Sequence, residues 1–223
     1  PGRPEMYQEY PPYGYRLWPS RSITYDYPRK APRTLTVHSN RHGFRGTREF
    51  DEPIPRPRIV VLGDSMVFGE GVEEPERFTD RLEASMPSWR VDNLGMTGFG
   101  PDLMLRAFEQ VGANLSPKIV VLTIYTDDFR RVRPAYAGVG FRIPRYRLES
   151  GDLVSTEYPV YGLLSRSAVA SALREAIWRG SGVEWALNAA ILDRFRLLSA
   201  RGRFRLFVVF LPGTSDTQTD RSR

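Results

Sequence analysis

Three groups of residues in this sequence are suited to chemistry, and each follows a short strand-like segment. Ser65 follows residues 59–62, a glycine-rich segment that contains Gly98 follows the second, and Asp127 and Asp128 follow the third. A serine hydroxyl attacks a carbonyl carbon when a neighbouring base takes its proton. Backbone N–H groups of the serine and of a glycine can then hold the negative oxygen that develops. The three groups indicate acyl transfer through a serine nucleophile, provided that the fold brings them to one place.

The segments that carry these residues alternate between strand-like and helix-like patterns. Apolar runs at residues 59–62, 119–125 and 204–211, with a shorter segment at 90–94, are typical of strands buried on both faces of a sheet. Helical spacing of apolar residues lies between them. The alternation predicts an α/β fold, a three-layer α/β/α sandwich around a doubly wound parallel sheet with strand order 2-1-3-4. Ligands bind at the carboxyl ends of such strands, where Ser65, Gly98 and Asp127 are therefore expected to meet.

The remaining segments lack this alternation. Residues 1–57 are rich in Pro, Tyr and Arg and predict an irregular N-terminal arm that packs on the domain, with a short strand at 34–37. The domain itself is expected at 58–212, with an insertion at 129–162 that contains a hairpin. Helices are expected at 163–178 and 183–200, and 213–223 form a tail. Gly112 is expected to cap the helix that begins at Pro101.

Composition excludes several other kinds of site. The sequence has no cysteine, which rules out disulfides, thiolate zinc sites and a cysteine nucleophile. It has two histidines, His38 and His42, so we expect no site built from several histidines. Asp127 and Asp128 alone offer too few oxygen ligands for a hard cation, so no metal is expected there. The glycine spacing after residue 94 is not that of a dinucleotide-binding loop, and no cofactor is expected. The net charge of +6 comes from scattered arginines, which does not favour a nucleic-acid partner.

Two segments carry a resemblance to a known family. The first, VVLGDSMVFGEGV at residues 60–72, resembles the first sequence block of the bacterial SGNH (GDSL-like) hydrolases, and NLGMTGFG at 93–100 is similar to the second block. HSNRHGFRG at 38–46 resembles a segment found ahead of the first block in one bacterial branch. The resemblance covers about residues 10–212 and implies a flavodoxin-like fold and serine ester hydrolysis. It also implies that Ser65 is the nucleophile and that the Gly98 N–H lines the oxyanion hole.

The sequence departs from the family pattern in two places. Asp127 stands where the third block has an asparagine, and an ionised carboxylate accepts hydrogen bonds but cannot donate one to an oxyanion. The family's last block, D-x-x-H, has no counterpart before Arg223. We therefore expect a chain that is truncated before its last strand and helix and is weakly active. The alternatives are a degenerate domain that binds acylated glycan or lipid without turnover, and a replacement base supplied by His38 or His42.

The resemblance also implies the kind of partner. Small acyl groups on carbohydrate or lipid alcohols are plausible substrates in this family, so we expect a small-molecule or glycan ester to bind. Related bacterial proteins carry a leader or membrane anchor ahead of an arm like residues 7–46, which implies an extracytoplasmic or membrane-anchored location. Nothing in the sequence indicates an oligomeric state.

Overall fold

The computed structural model of this protein describes residues 4–27, 33–133, 141, 143–156 and 182–213. Its strands are β1 (Tyr7–Tyr10), β2 (Gly14–Leu17), β3 (Ser22–Tyr27), β4 (Arg33–His38), β5 (Arg58–Leu62), β6 (Arg90–Asn93), β7 (Ile119–Tyr125), β8 (Arg145–Glu149), β9 (Asp152–Thr156) and β10 (Arg205–Leu211). Its α-helices are α1 (Ser65–Phe68), α2 (Phe78–Ser85), α3 (Pro101–Gln110) and α4 (Val183–Gly202). Short 3₁₀ helices span Pro4–Met6, Glu74–Glu76, Gly112–Leu115 and Thr126–Val132.

A parallel sheet in the order β6-β5-β7-β10 forms the centre of the fold. In chain order these are the four strands that the sequence predicts, and the predicted order 2-1-3-4 is confirmed. In the registers of the sheet, Ile59 lies opposite both Val91 and Ile119, and Ile119 lies opposite Arg205. The loops that follow β5, β6 and β7 therefore leave the sheet at the same edge.

Alternate residues of β5 belong to two different cores, as expected for a strand that is buried on both faces. Val60 and Leu62 pack in the larger core, to which α3 and α4 contribute. Ile59 and Val61 pack in a smaller core with partly buried side chains that include Leu82 of α2. The protein is thus an α/β fold around a parallel sheet. The complete three-layer sandwich and the missing last strand stay predictions.

The N-terminal arm is more regular than the sequence predicts. Instead of one short strand at 34–37 it contains two antiparallel hairpins, β1–β2 and β3–β4. The expectation of an irregular arm is wrong because its tyrosines favour strands, and Tyr7, Tyr13 and Tyr15 are all buried. The Tyr15 hydroxyl donates to the Thr97 carbonyl at 2.7 Å, so the arm contacts the loop that follows β6.

The insertion contains the hairpin that the sequence predicts, formed by β8 and β9. Arg145 attaches this hairpin to the domain by donating to the Asp102 carboxylate at 2.9 Å and to the Arg131 carbonyl at 2.7 Å. The helix expected at 163–178 lies outside the described residues. The helix expected at 183–200 is α4.

Gly112 does not cap α3 as the sequence suggests. The helix ends at Gln110 with Val111 as its cap residue, and Gly112 begins a 3₁₀ helix. A Cβ at Gly112 would lie 2.6 Å from the Phe108 ring, so close packing explains this glycine. Among the described residues, no helix is both long and apolar enough to cross a membrane.

The apolar edge of the sheet generates the first prediction. Phe207 is 44% exposed on β10, whose only partner strand among the described residues is β7. We expect Phe207→Lys to reduce concentration-dependent self-association, because a charge on an edge strand opposes edge-to-edge pairing. Light scattering across a concentration series measures this. Trp18→Lys is the matched control, since Trp18 is 43% exposed but lies outside the strands. An equal effect of the two substitutions would show that self-association does not depend on the β10 edge.

Candidate active site

Ser65 lies at the carboxyl edge of the sheet, at the start of α1 and directly beyond β5. Asp64 caps this helix, and its carboxylate accepts the Met66 N–H at 2.9 Å. The other oxygen of Asp64 lies 3.4 Å from the Ser65 hydroxyl, which donates to it. Ser65 is half-buried and Met66 is 59% exposed. The predicted nucleophile therefore sits at the predicted edge and remains accessible from solvent.

Asn93 holds the loop that follows β6 against the helix of Ser65. Its side-chain amide donates to the Val67 carbonyl at 2.7 Å and to the Thr79 hydroxyl at 2.9 Å. Its side-chain oxygen accepts the Gly95 N–H at 2.8 Å. A Cβ at Gly95 would lie 2.5 Å from the backbone nitrogen of Phe68, so this close approach requires glycine.

Gly98 occupies a turn in the same loop. The Phe99 N–H donates to the Met96 carbonyl at 3.1 Å, and Gly98, the third residue of the four, has φ of 83°. This is the pattern of a type II turn, which favours glycine at its third position. Gly98 is half-buried in a loop that Asn93 fixes beside α1. Its part in an oxyanion hole stays a prediction.

The loop after β7 presents its two carboxylates differently from the sequence-based expectation. Asp127, for which the sequence predicts the position of the family's asparagine, is 51% exposed and pairs with Arg130 at 3.7 Å. Among the described residues, no hydrogen bond or ion pair joins Asp127 to Ser65. Asp128 is fully buried, and one of its oxygens accepts the Tyr125 N–H at 3.1 Å. The carboxyl that this loop turns into the protein is therefore Asp128.

Arg131 connects the loops that follow all three strands. Its Nη1 lies 3.3 Å from Asp64 after β5, donates to the Phe99 carbonyl after β6 at 2.9 Å, and lies 2.7 Å from Asp128 after β7. The same loops approach so closely at Gly100 that a Cβ there would lie 2.7 Å from the Cβ of Arg131. One guanidinium thus holds together the segments that carry the predicted site residues.

The pKa of the Asp128 carboxyl lies well above its ordinary value. Burial and the nearby Asp64 together raise the pKa of this carboxyl to about 8, against the opposing effect of Arg131. Two carboxyls that share one cation in a buried place avoid two full negative charges when one of them is protonated.

Neither histidine is placed to serve as a base for Ser65. The His38 ring bonds the Ser22 hydroxyl at 2.7 Å, within the β3–β4 hairpin. His42 lines a cavity together with Arg58, which begins β5, whereas Ser65 follows the end of that strand. A strand of this length spans about 15 Å. The alternative of a replacement base therefore gains no support from the described residues.

The sequence indicates Asp128 only as the neighbour of Asp127, and the place of Arg131 in the site was not predicted. Arg131 belongs to the run Arg130-Arg131-Val132-Arg133, and the sequence analysis interprets its arginines as part of a scattered positive charge. The available signal was the spacing of three residues from Asp128 to Arg131, which places two side chains on the same side of one helical turn.

The second prediction concerns Arg131. We expect Arg131→Ala to lower the free energy of unfolding by about 3 kcal/mol, because the buried Asp64 side chain and the Phe99 carbonyl lose the guanidinium that they share. Urea unfolding measures this change. Arg130→Ala is the matched control: Arg130 is 68% exposed, and its loss should cost no more than about 0.5 kcal/mol. Similar losses in both variants would refute the bridging role.

The third prediction follows from the raised pKa of Asp128. Between the ordinary value of 3.8 and the folded value of about 8, the folded chain holds a proton that the unfolded chain has released. The contribution of Asp128 to stability is therefore present at low pH and is lost as the pH rises toward 8. Urea unfolding of the wild type and of Asp128→Asn should show the wild type losing stability relative to the variant across this range. Parallel pH profiles would contradict the assignment.

Comparison with known proteins finds similarity among solved structures. No protein-family model matches the sequence, and no curated protein matches it. The structure of AlinE4, an SGNH-hydrolase family esterase, is 16% identical, with 70% of this chain and 77% of that chain covered and a TM-score of 0.33. A lipolytic G-D-S-L family protein from Veillonella parvula DSM 2008 is 12% identical, with 75% and 85% covered and a TM-score of 0.34. TesA is 15% identical, with 67% and 76% covered and a TM-score of 0.33. The solved structures that this chain resembles thus include SGNH/GDSL-family esterases and lipolytic proteins.

Proposed function

We propose that this protein is an ester hydrolase of the SGNH type that acts through an acyl intermediate on Ser65. The observation that carries the proposal is the position of the Ser65 hydroxyl. It lies at the start of α1 on the carboxyl edge of a parallel sheet, and Asn93 holds the loop that follows β6 against the same helix. This is the edge where ligands bind in open α/β sheets.

In the proposed reaction the Ser65 oxygen attacks the acyl carbon of an ester. The oxyanion that forms accepts hydrogen bonds from the N–H groups of Ser65 and Gly98, the alcohol leaves, and water hydrolyses the acyl-serine. Asp64 orients the Ser65 hydroxyl at 3.4 Å, but its carboxylate also interacts with Met66 and Arg131. Asp64 is therefore a positioning residue in this proposal. The reaction also needs a base that takes the Ser65 proton and returns it to the leaving alcohol, the part that the histidine of a D-x-x-H block plays in the SGNH family.

Asp127 is the weak point of the proposed oxyanion hole. An exposed carboxylate does not supply the donor that an asparagine supplies at this position. The hole then depends on two backbone donors, and a missing donor typically lowers turnover by about 10²–10³-fold. The proposal includes the complete three-layer sandwich. Small acyl groups on carbohydrate or lipid alcohols are the proposed substrates.

The fourth prediction tests the nucleophile. We expect the 223-residue chain to hydrolyse a model acetyl ester only at a residual rate, because neither of its two histidines lies beside Ser65. A serine hydrolase without one triad member keeps about 10³–10⁴-fold catalysis over water. A longer version of the chain that carries a D-x-x-H block should be fast, and Ser65→Ala should abolish its turnover. The readout is the rate of acetate release.

The control is Ser85→Ala, which removes an exposed hydroxyl at the end of α2 and should leave turnover unchanged. Turnover of the longer chain that survives Ser65→Ala would refute the nucleophile. Fast turnover by the 223-residue chain, abolished by Ser65→Ala, would keep the nucleophile but show that a base exists within these residues. Binding of an acylated glycan without turnover in either chain would instead support a binding domain.

A further inference from the structure

We propose that His42, Glu49 and Asp51 form a binding site for a divalent transition-metal ion, best matched by Zn²⁺. One ligand atom from each of the three side chains lies within 4.8 Å of the other two. All three residues belong to the segment between β4 and β5 and lie away from the Ser65 edge of the sheet. This inference is independent of the proposed ester hydrolysis.

The donor set matches the chemistry of zinc. One imidazole nitrogen and two carboxylate oxygens are ligands that Zn²⁺ takes at about 2.0–2.2 Å, commonly with water at a further position. Three such bonds place the ligand atoms roughly 3.5 Å apart, so the side chains need to close by about 1 Å. Asp51 is 49% exposed and Glu49 is 29% exposed, which leaves both carboxylates room to move.

The Nε2 atom of the His42 imidazole is buried and has no hydrogen-bond partner among the described residues. A buried polar atom without a partner costs free energy that a bond to a ligand can recover. The ring stacks on Phe50 with a centroid distance of 5.4 Å, which limits its movement.

A cavity of about 240 Å³ adjoins the cluster, and its lining includes His42, Asp51 and Asn114. Polar side chains and open volume together allow water to complete the coordination of an ion. Arg58 also lines this cavity, but its guanidinium pairs with Asp92 at 2.8 Å. Arg58 is therefore committed to Asp92 and leaves the two carboxylates of the cluster to Arg41 and the metal.

Arg41 is the group with which a metal ion must compete. It forms an ion pair with Asp51 and a longer one with Glu49 at 3.9 Å, and its backbone N–H donates to Glu49 at 3.0 Å. The Arg41 side chain is 55% exposed, and ion pairs of such exposed groups contribute little. Arg41 thus balances the charge of the carboxylates, and a divalent ion replaces it at the site.

The experiment is a zinc titration of the 223-residue chain by calorimetry, with ZnCl₂ as the only added ligand. We expect one ion per chain, with affinity that falls by about tenfold or more in His42→Ala and in Asp51→Asn. His38→Ala is the matched control, because it removes the other histidine, and it should leave the affinity unchanged. Arg41→Ala should bind more tightly than the wild type, since the competing cation is gone. Circular dichroism of each variant identifies any that fails to fold, and Glu49→Gln then replaces it as the test.

Thermal unfolding gives a second readout that does not depend on ester hydrolysis. Zinc at about a hundred times its Kd should raise the Tm by about 5–10 °C in the wild type and not in His42→Ala. Mg²⁺ and Ca²⁺ should have much smaller effects, because they prefer oxygen ligands to imidazole. The proposal is overturned if the wild type binds no zinc, if His38→Ala loses as much affinity as His42→Ala, or if Mg²⁺ binds as well as Zn²⁺.

Discussion

The contact on which the candidate site depends is that of the Arg131 guanidinium with three separate loops. Asp64 follows β5, Phe99 follows β6 and Asp128 follows β7, and Arg131 bonds or pairs with all of them within 3.3 Å. A parallel sheet brings these loops to one edge but does not fix the distances between them. Because this half-buried guanidinium is costly without partners, the three loops close around it. The position of the Ser65 hydroxyl relative to the Gly98 turn then follows from that closure.

Parts of the chain far from Ser65 in sequence support the same arrangement. Tyr15 of the arm bonds the Thr97 carbonyl, and Arg145 of the insertion hairpin bonds both Asp102 and the carbonyl of Arg131. Both contacts end on the loops around Arg131. The arm and the insertion therefore stabilise the loops of the site. This gives a structural role to long segments of the chain that lie outside the central sheet.

The central sheet could be predicted from the sequence because its strands are short apolar runs separated by helical patterns. Those runs placed β5, β7 and β10 correctly, and with them the position of Ser65. The arm could not be predicted in the same way, since its strands depend on burial of tyrosines that only the folded domain provides. Asp127 and Asp128 show a finer limit. Which of these two carboxylates is buried depends on the direction in which the 3₁₀ helix leaves β7. The local sequence does not predict that direction.

The most direct test of this account is amide hydrogen exchange of Arg131→Ala, read residue by residue against the wild type and Arg130→Ala. If Arg131 closes the three loops, amides in residues 94–100 and 126–132 should exchange faster in Arg131→Ala, while those of β3 and β4 keep their protection. Arg130→Ala should behave like the wild type. Unchanged protection of both loops in Arg131→Ala, or an equal loss in β3 and β4, would contradict the claim that this one guanidinium assembles the site.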